Sequence, residues 1–205
     1  FDNEGNGYTG TIASLKPKAK PFKRVTVHLQ RAVTGILLKG DVARWKLKPP
    51  SIRNGLLHAP ACDDLGGVAA AIAALDVIRN IRGLGHVGVL LTRAEEIGFV
   101  GAIAAAKHKT IQKSARLLCL ETSRSFPESP IGAGPILRVG DKTSVFGPEL
   151  TNTIADIMNK YQATHKKFKW QRKLMPGGTC ESTAFCAYGY LSTCLCLPLG
   201  NYHNM

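Results

Sequence analysis

The sequence predicts an α/β fold, with a mostly parallel central sheet and helices on both of its faces, preceded by a small β-rich segment. After residue 50, short apolar runs typical of buried strands alternate with longer runs whose apolar residues have helical spacing. Residues 1–49 instead contain short β-branched runs broken by Gly, Pro and Lys. All apolar runs are interrupted before they reach a membrane-spanning length, so no transmembrane helix is expected.

The first 49 residues are predicted to form a partial β-rich domain. "RVTVHLQ" (24–30) and "TGILLKG" (34–40) are interpreted as its short strands. The Pro pair and the Asn-Gly of "KLKPPSIRNG" (46–55) indicate a boundary. A second domain is therefore expected over residues 50–205.

The second domain is predicted to alternate helices with buried strands. Its Ala-rich and amphipathic runs have helical spacing, and its short apolar runs have strand length. The predicted helices cover 66–81, 101–111, 149–164 and 182–190, and the predicted strands cover 86–92, 115–121 and 192–200.

The chain is strongly basic, with a formal net charge of +13. Aromatic residues are interleaved with lysines in two basic stretches, 16–24 and 165–173, which is a weak indication of nucleic-acid binding. Because no nucleic-acid-binding motif accompanies the charge, we favour a solvated loop and a solvated helix end. The six cysteines lie in or beside apolar runs without zinc-type spacing, and we interpret them as reduced thiols of a cytoplasmic protein.

Carboxylates and one imidazole are predicted to meet at a single edge of the sheet. In open α/β sheets, ligands bind outside the carboxyl ends of the strands. Several carboxylates in one place repel each other unless a cation offsets their charge, and Asp, Glu and His are ligands for Zn²⁺. A further carboxylate could then move the proton of a metal-activated water. The residues that follow strands or precede the first helix are Asp63, Asp64, Glu95, Glu96, Glu121 and His203.

Each of these residues also has a structural interpretation. Asp64 in particular could cap the helix that follows it, since an acidic residue stabilises the free N–H groups of a helix start, and this alternative is left open. The glutamates could lie on a solvated surface, Glu121 could pair with Arg124, and His203 could be a loop histidine. The joint placement of the residues at strand ends favours a metal site.

Four segments, taken in order, resemble a known group of enzymes. "APACDDLGGVAAAIAAL", "LLTRAEEIGFVGA", "LLCLETS" and "GGTCESTAF…CLCLPLGNYH" are similar to the blocks of co-catalytic zinc peptidases of the M28, M42 and M20 clan. The M42-type, glutamyl aminopeptidase-like metallopeptidases are the closest match. The resemblance covers residues 56–205, and the Asp-Asp and Glu-Glu motifs are specific as an ordered set.

The resemblance implies a role for each matching residue. Asp63 would bridge two Zn²⁺ ions, and Glu95 would be the general base that takes a proton from the attacking water. Glu96 would be a terminal ligand of one metal and Glu121 of the other, and His203 would complete the site that Glu96 serves. The implied activity is zinc-dependent hydrolysis of peptide bonds, with an aminopeptidase as the expected enzyme.

The sequence also departs from the family pattern. The family uses a further His ligand upstream of the bridging Asp, and neither His28 nor His58 stands in the corresponding motif. Cys180 takes the place of the Asp that is common in "GGT" segments of the M42 group. Residues 1–49 resemble the tail of an inserted lid domain, so we expect a fragment whose missing His precedes Phe1, with one of its two zinc sites incomplete.

Peptides or small amides are the expected substrates, and the intact protein is expected to form a homo-oligomer in part through the lid. Three alternatives stay open. One is an M20-like amidohydrolase or deacylase. The second is an inactive metal-binding domain, and the third is a basic nucleic-acid-binding fragment. Neither a membrane nor a nucleic acid is the favoured partner.

Overall fold

The computed structural model describes residues 1–2 and 4–203. Contacts within the chain divide it into two units, Phe1–Leu47 and a second unit that begins at Lys48. The division falls close to the boundary expected from the Pro pair. Whether the first unit is part of a lid domain stays a prediction.

The first unit contains one antiparallel hairpin of exposed strands, β1 (Gly10–Lys16) and β2 (Arg24–Leu29). His28 lies on β2. The second predicted strand, 34–40, is not a strand: its apolar side chains are exposed and no described strand pairs with it. The prediction failed because β-branched composition does not supply a hydrogen-bonding partner.

The second unit opens with a short hairpin of strands β3 (Ser51–Arg53) and β4 (Leu56–His58). Asn54 and Gly55 between them both have positive φ, as a tight two-residue hairpin turn requires. The Asn-Gly pair, interpreted above as a boundary signal, is therefore the turn of a hairpin that begins just after the boundary.

A four-stranded sheet in the order β5-β8-β6-β7 organises the rest of the second unit. The outer pairs β5–β8 and β6–β7 are parallel and the central pair β6–β8 is antiparallel, so the mostly parallel α/β fold is confirmed. The strands are β5 (Arg116–Arg124), β6 (Ile136–Gly140), β7 (Gln171–Leu174) and β8 (Leu191–Leu199). The helices are α1 (Cys62–Ile78), α2 (Val100–Lys107), α3 (Pro148–Thr164) and α4 (Glu181–Ala187).

Two apolar clusters hold the helices and the sheet together. In one, Ala102 and Ala106 of α2 pack with Phe185 of α4. In the other, Ile136 of β6 packs with three buried cysteines, Cys180, Cys194 and Cys196. All six cysteines are free thiols, so small buried sulfur side chains fill the core. None of the helices in the described part of the chain is long and apolar enough to cross a lipid bilayer.

The prediction of a strand over 86–92 is wrong. Residues 87–95 have no regular secondary structure, and Leu90 and Leu91 are exposed. The apolar pattern is that of a buried strand, but none of the described strands pairs with this segment. A strand needs backbone partners, which the pattern alone does not provide.

The basic stretch 165–173 is not only a solvated helix end, because its last residues form β7. Lys173 on this strand is mostly buried and forms an ion pair with Glu128, with 3.2 Å between Nζ and Oε1. The same ammonium group lies 3.9 Å from the centre of the Phe126 ring. At least one of the lysines that suggested nucleic-acid binding is therefore engaged within the fold.

Candidate metal centre and active site

The first two predicted site residues lie at the irregular start of α1. Asp63 and Asp64 have non-helical backbone angles, and the peptide bond between them is cis. Asp64 Oδ1 accepts a hydrogen bond from the Gly67 N–H at 3.0 Å, so its carboxylate caps the regular part of the helix. A Cβ at Gly67 would collide with that carboxylate, which explains the glycine. Asp63 makes no such cap and faces the cavity described below.

Glu95 and Glu96 lie on a tight turn that joins the irregular segment to α2. The Glu95 carbonyl accepts hydrogen bonds from the N–H groups of Gly98 and Phe99, at 3.0 and 2.9 Å. Adjacent residues of a strand point to opposite faces. Here Ala94 has a φ of 58°, so the backbone leaves extended geometry and both glutamates line the same cavity.

Glu121 lies inside β5 and not at its end, which corrects the sequence-based placement. The strand continues to Arg124 because Thr122 and Ser123 stay buried and paired with β8. Glu121 Oε1 accepts a hydrogen bond from the Thr122 N–H at 3.0 Å. The Thr122 carbonyl accepts one from Nη2 of Arg138, at 2.8 Å.

His203 follows β8 and meets the residues of α1 and of the glutamate turn. Its Nε2 lies 3.1 Å from Asp63 Oδ2 and 3.6 Å from Glu96 Oε1. The imidazole stacks on the ring of Tyr202, with 4.0 Å between the ring centroids. The segment that follows β8 thus places an imidazole beside two carboxylates from elsewhere in the fold.

These side chains form two donor groups that share Asp63. The outer group is Asp63, Glu96 and His203, and the inner group is Asp63, Asp64 and Glu121. Within each group, one ligand atom from every residue lies within 4.8 Å of the others. All four predicted metal ligands therefore belong to a donor group, and Asp64 joins them. His58 belongs to neither group within the described residues.

A cavity of about 480 Å³ joins the outer group to Glu95 and Glu121. Glu95 is in neither donor group and still lines this cavity, which is the position that a proton-transferring carboxylate needs. The remainder of the lining is uncharged: Gly98, Phe99, Met175, Gly177, Gly178, Thr179 and Tyr202.

Three carboxylates of the site, those of Glu121, Glu95 and Asp64, have pKa values above the ordinary range. Burial, partly offset by the Thr122 N–H, raises the pKa of Glu121 to about 8. Burial and the charge of Glu96 raise the pKa of Glu95 to about 7. Burial also raises the pKa of Asp64 to about 6. Several ionised carboxylates in a half-buried site repel each other unless a cation offsets their charge. Carboxylate and imidazole groups are ligands for Zn²⁺.

Some residues at the site were not found from the sequence. Arg138 is buried beside the inner group, where its charge lowers the pKa of Glu121 and of Asp64, although burial of these carboxylates outweighs it. The sequence did contain one indication of Arg138, which is that a charged residue interrupts the apolar run "ILRVG" (136–140). Phe99 and Tyr202 lie within quoted segments and Met175 precedes one, but their types carry no signature of a binding site.

The α/β sheet carries two acidic donor groups that share one aspartate and that could hold a metal ion. The chain belongs to the M42 glutamyl aminopeptidase family, whose sequence profile matches residues 30–205. This confirms the family resemblance. No curated protein matches the chain significantly.

Solved structures show the same fold at low sequence identity. A TET aminopeptidase from the marine sediment archaeon Thaumarchaeota archaeon SCGC AB-539-E09 superposes with a TM-score of 0.62 at 20% identity, over 76% of this chain and 45% of that one. An aminopeptidase from the archaeon Desulfurococcus kamchatkensis gives 0.59 at 19%, over 72% and 42%. The TET1 peptidase of Pyrococcus horikoshii gives 0.59 at 18%, over 88% and 62%. The chain spans about half the length of the first two.

Proposed function

We propose that the chain supplies the catalytic domain of a zinc-dependent aminopeptidase, which hydrolyses the peptide bond after an N-terminal residue. The observation that carries the proposal is the pair of donor groups that share Asp63, at a cavity that Glu95 also lines. Family membership supports peptide hydrolysis as the class of reaction.

The outer group would hold one Zn²⁺ ion and the inner group a second. The outer group combines two carboxylates with an imidazole, and zinc binds both types of donor. The inner group offers carboxylates only, and one of these, Asp64, is already engaged with a helix N–H. When bound, zinc polarises a substrate carbonyl and lowers the pKa of water.

Glu95 acts as the general base in this proposal. The backbone of Glu95 is held by the turn, in which the Glu95 carbonyl accepts the Gly98 and Phe99 N–H groups. The residue lines the cavity without belonging to a donor group. From there it takes the proton of the attacking water and passes it to the leaving amine. Its neighbour Glu96 points to the same cavity and serves as a ligand.

The rest of the proposal concerns the whole protein. Residues 1–49 would be part of a β-rich lid, and the protein would form a homo-oligomer. The Pyrococcus horikoshii TET1 peptidase can assemble into a tetrahedron or a large octahedral shell, which supports this by analogy. The six free thiols support a reducing, cytoplasmic compartment.

The test compares Glu95→Gln with Glu149→Gln, a matched change at an exposed glutamate of α3. We expect both variants to bind as much zinc as the parent chain, since neither residue is in a donor group. Release of amine from aminoacyl amides should fall by about 10²- to 10⁴-fold in Glu95→Gln only. Loss of zinc from Glu95→Gln would make Glu95 a ligand and contradict its role as base.

A second substrate class separates aminopeptidase from amidohydrolase activity. The parent chain is expected to cleave aminoacyl amides and to leave N-acyl amino acids intact. Cleavage of N-acyl amino acids alone would favour the M20-like alternative. A zinc-loaded chain that cleaves neither, also within the full-length protein, would favour the inactive metal-binding alternative.

A further inference from the structure

The part of the cavity lining that lies outside the donor groups carries no formal charge, apart from Glu95. Its largest side chains are those of Phe99, Met175 and Tyr202, next to the backbone of Gly178 and Thr179. We propose that this wall receives the side chain of the N-terminal substrate residue and selects an uncharged, apolar one over glutamate or aspartate. The inference rests on the proposed aminopeptidase function and adds its substrate class.

The apolar wall is held in place from two sides. Phe99 precedes α2 and packs against the core cluster of Ala102 and Phe185. Met175 donates its backbone N–H to the Gly140 carbonyl at 3.1 Å, and its Cε would lie 2.7 Å from a Cβ at Gly178. The methionine therefore lies directly on the glycine backbone, and apolar surface faces the cavity at a fixed position.

The loop that carries Gly178 and Thr179 is also anchored. The buried carboxylate of Asp141 accepts a hydrogen bond from the Cys180 N–H at 3.1 Å and one from the Thr183 hydroxyl. The N–H of Lys142 donates to the Gly178 carbonyl at 3.0 Å. Because the loop is hydrogen-bonded on both sides of Thr179, this part of the wall is preformed.

The charge of the site argues against an acidic substrate side chain. No lysine or arginine lines the cavity in the part of the chain that the structure describes. Arg138 is 1% exposed and donates to the Thr122 carbonyl, so it is not available to a substrate. A glutamyl side chain would lose its water, gain no cationic partner from the wall, and lie near Glu95.

The test uses α-hydroxamates of L-norleucine, L-glutamine and L-glutamate, which share one zinc-binding group and differ only in the side chain. Binding to the zinc-loaded chain is measured by calorimetry, which does not require turnover. We expect norleucine hydroxamate to bind at least about 10-fold more tightly than glutamate hydroxamate, with glutamine between them, since glutamine differs from glutamate in charge but not in shape. Tighter binding of the glutamate compound overturns the inference and leaves the proposed function intact.

A second experiment tests whether a substitution in the wall increases the affinity for glutamate hydroxamate. Met175→Lys places a cation in the wall and should raise the affinity for glutamate hydroxamate at least about 10-fold relative to norleucine hydroxamate, whereas Met175→Leu should keep the parent order. An unchanged order in a folded Met175→Lys variant overturns the inference. Loss of glutamate hydroxamate binding in Lys142→Met would also overturn the inference. It would mean that Lys142, an exposed lysine beside the loop, binds the glutamate side chain. If no hydroxamate binds the zinc-loaded chain, both proposals fall.

Discussion

The two donor groups share Asp63 but differ in burial and in how the fold holds them. In the outer group, the side chains of Glu96 and His203 are 64% and 52% exposed, and both lie on turns outside the sheet. In the inner group, Glu121 lies within β5 and Asp64 is bonded to the Gly67 N–H. The outer group therefore contains the imidazole and is accessible to solvent. The inner group is held by the secondary structure, and among the described residues Arg138 is the cation near its carboxylates.

This difference predicts which group binds zinc more tightly. A histidine ligand binds zinc through an uncharged imidazole, so the outer group brings two anionic ligands to the ion and the inner group brings three. The inner group must release protons that its burial favours. We therefore expect tight binding at the outer group and weak, strongly pH-dependent binding at the inner group.

Removal of the shared aspartate should have the largest effect. Asp63→Ala takes a ligand from both groups, so zinc affinity is expected to fall by more than about 100-fold at each. Asp76→Ala is the control, because Asp76 is an exposed residue of the same helix that pairs with Arg79. The measurement is zinc content after dialysis. Retention of one equivalent by a folded Asp63→Ala chain would show that the groups do not depend on a shared ligand.

The second largest effect should come from substitutions that each remove a ligand from one donor group only. His203→Ala should weaken the tightly bound zinc by about 10- to 100-fold, whereas Glu121→Gln should leave it in place. Titration with zinc in competition with a chelator gives both affinities. The opposite ranking, with tight zinc lost in Glu121→Gln and kept in His203→Ala, would mean that the buried group binds first.

The metal-free protein should become less stable as pH rises. The pKa of Glu121, about 8, lies above the ordinary value of 4.5, so the folded chain binds more protons than the unfolded chain between these values. The free energy of unfolding therefore falls as pH increases through this window. Glu95 and Asp64 act in the same direction, with pKa values of about 7 and about 6.

Urea unfolding of chelator-treated protein measures this dependence. Zinc should reverse its sign, because the ion binds the ionised carboxylates. Glu121→Gln should flatten the metal-free curve, since the pKa of Glu121 is raised more than those of Glu95 and Asp64. A metal-free curve that rises over the same pH window would show that the carboxylates are not protonated in the folded chain.

The sequence predicted which acidic side chains come together better than it predicted the strands around them. Asp63, Glu121 and His203 lie within or next to elements whose apolar pattern was correct, whereas Glu96 lies on a turn after a segment that is not a strand. The segment 86–92 failed because a strand pattern does not reveal whether a partner strand is present. Arg138 and Met175 could not be found, since an arginine or a methionine becomes a site residue only through tertiary contacts.

The smallest effect decides the role of Asp64, which sequence reasoning left open between cap and ligand. Asn at this position keeps an oxygen for the Gly67 N–H but is a poorer zinc ligand, and Ala removes both functions. If capping is the sole function of Asp64, Asp64→Ala should cost about 1 kcal/mol of unfolding free energy, and Asp64→Asn should cost little. Zinc binding at the inner group should then be equal in the Asn variant and the parent. If Asp64→Asn is as stable as the parent but loses the weaker zinc, the carboxylate is a ligand, and the inner group needs all three of its members.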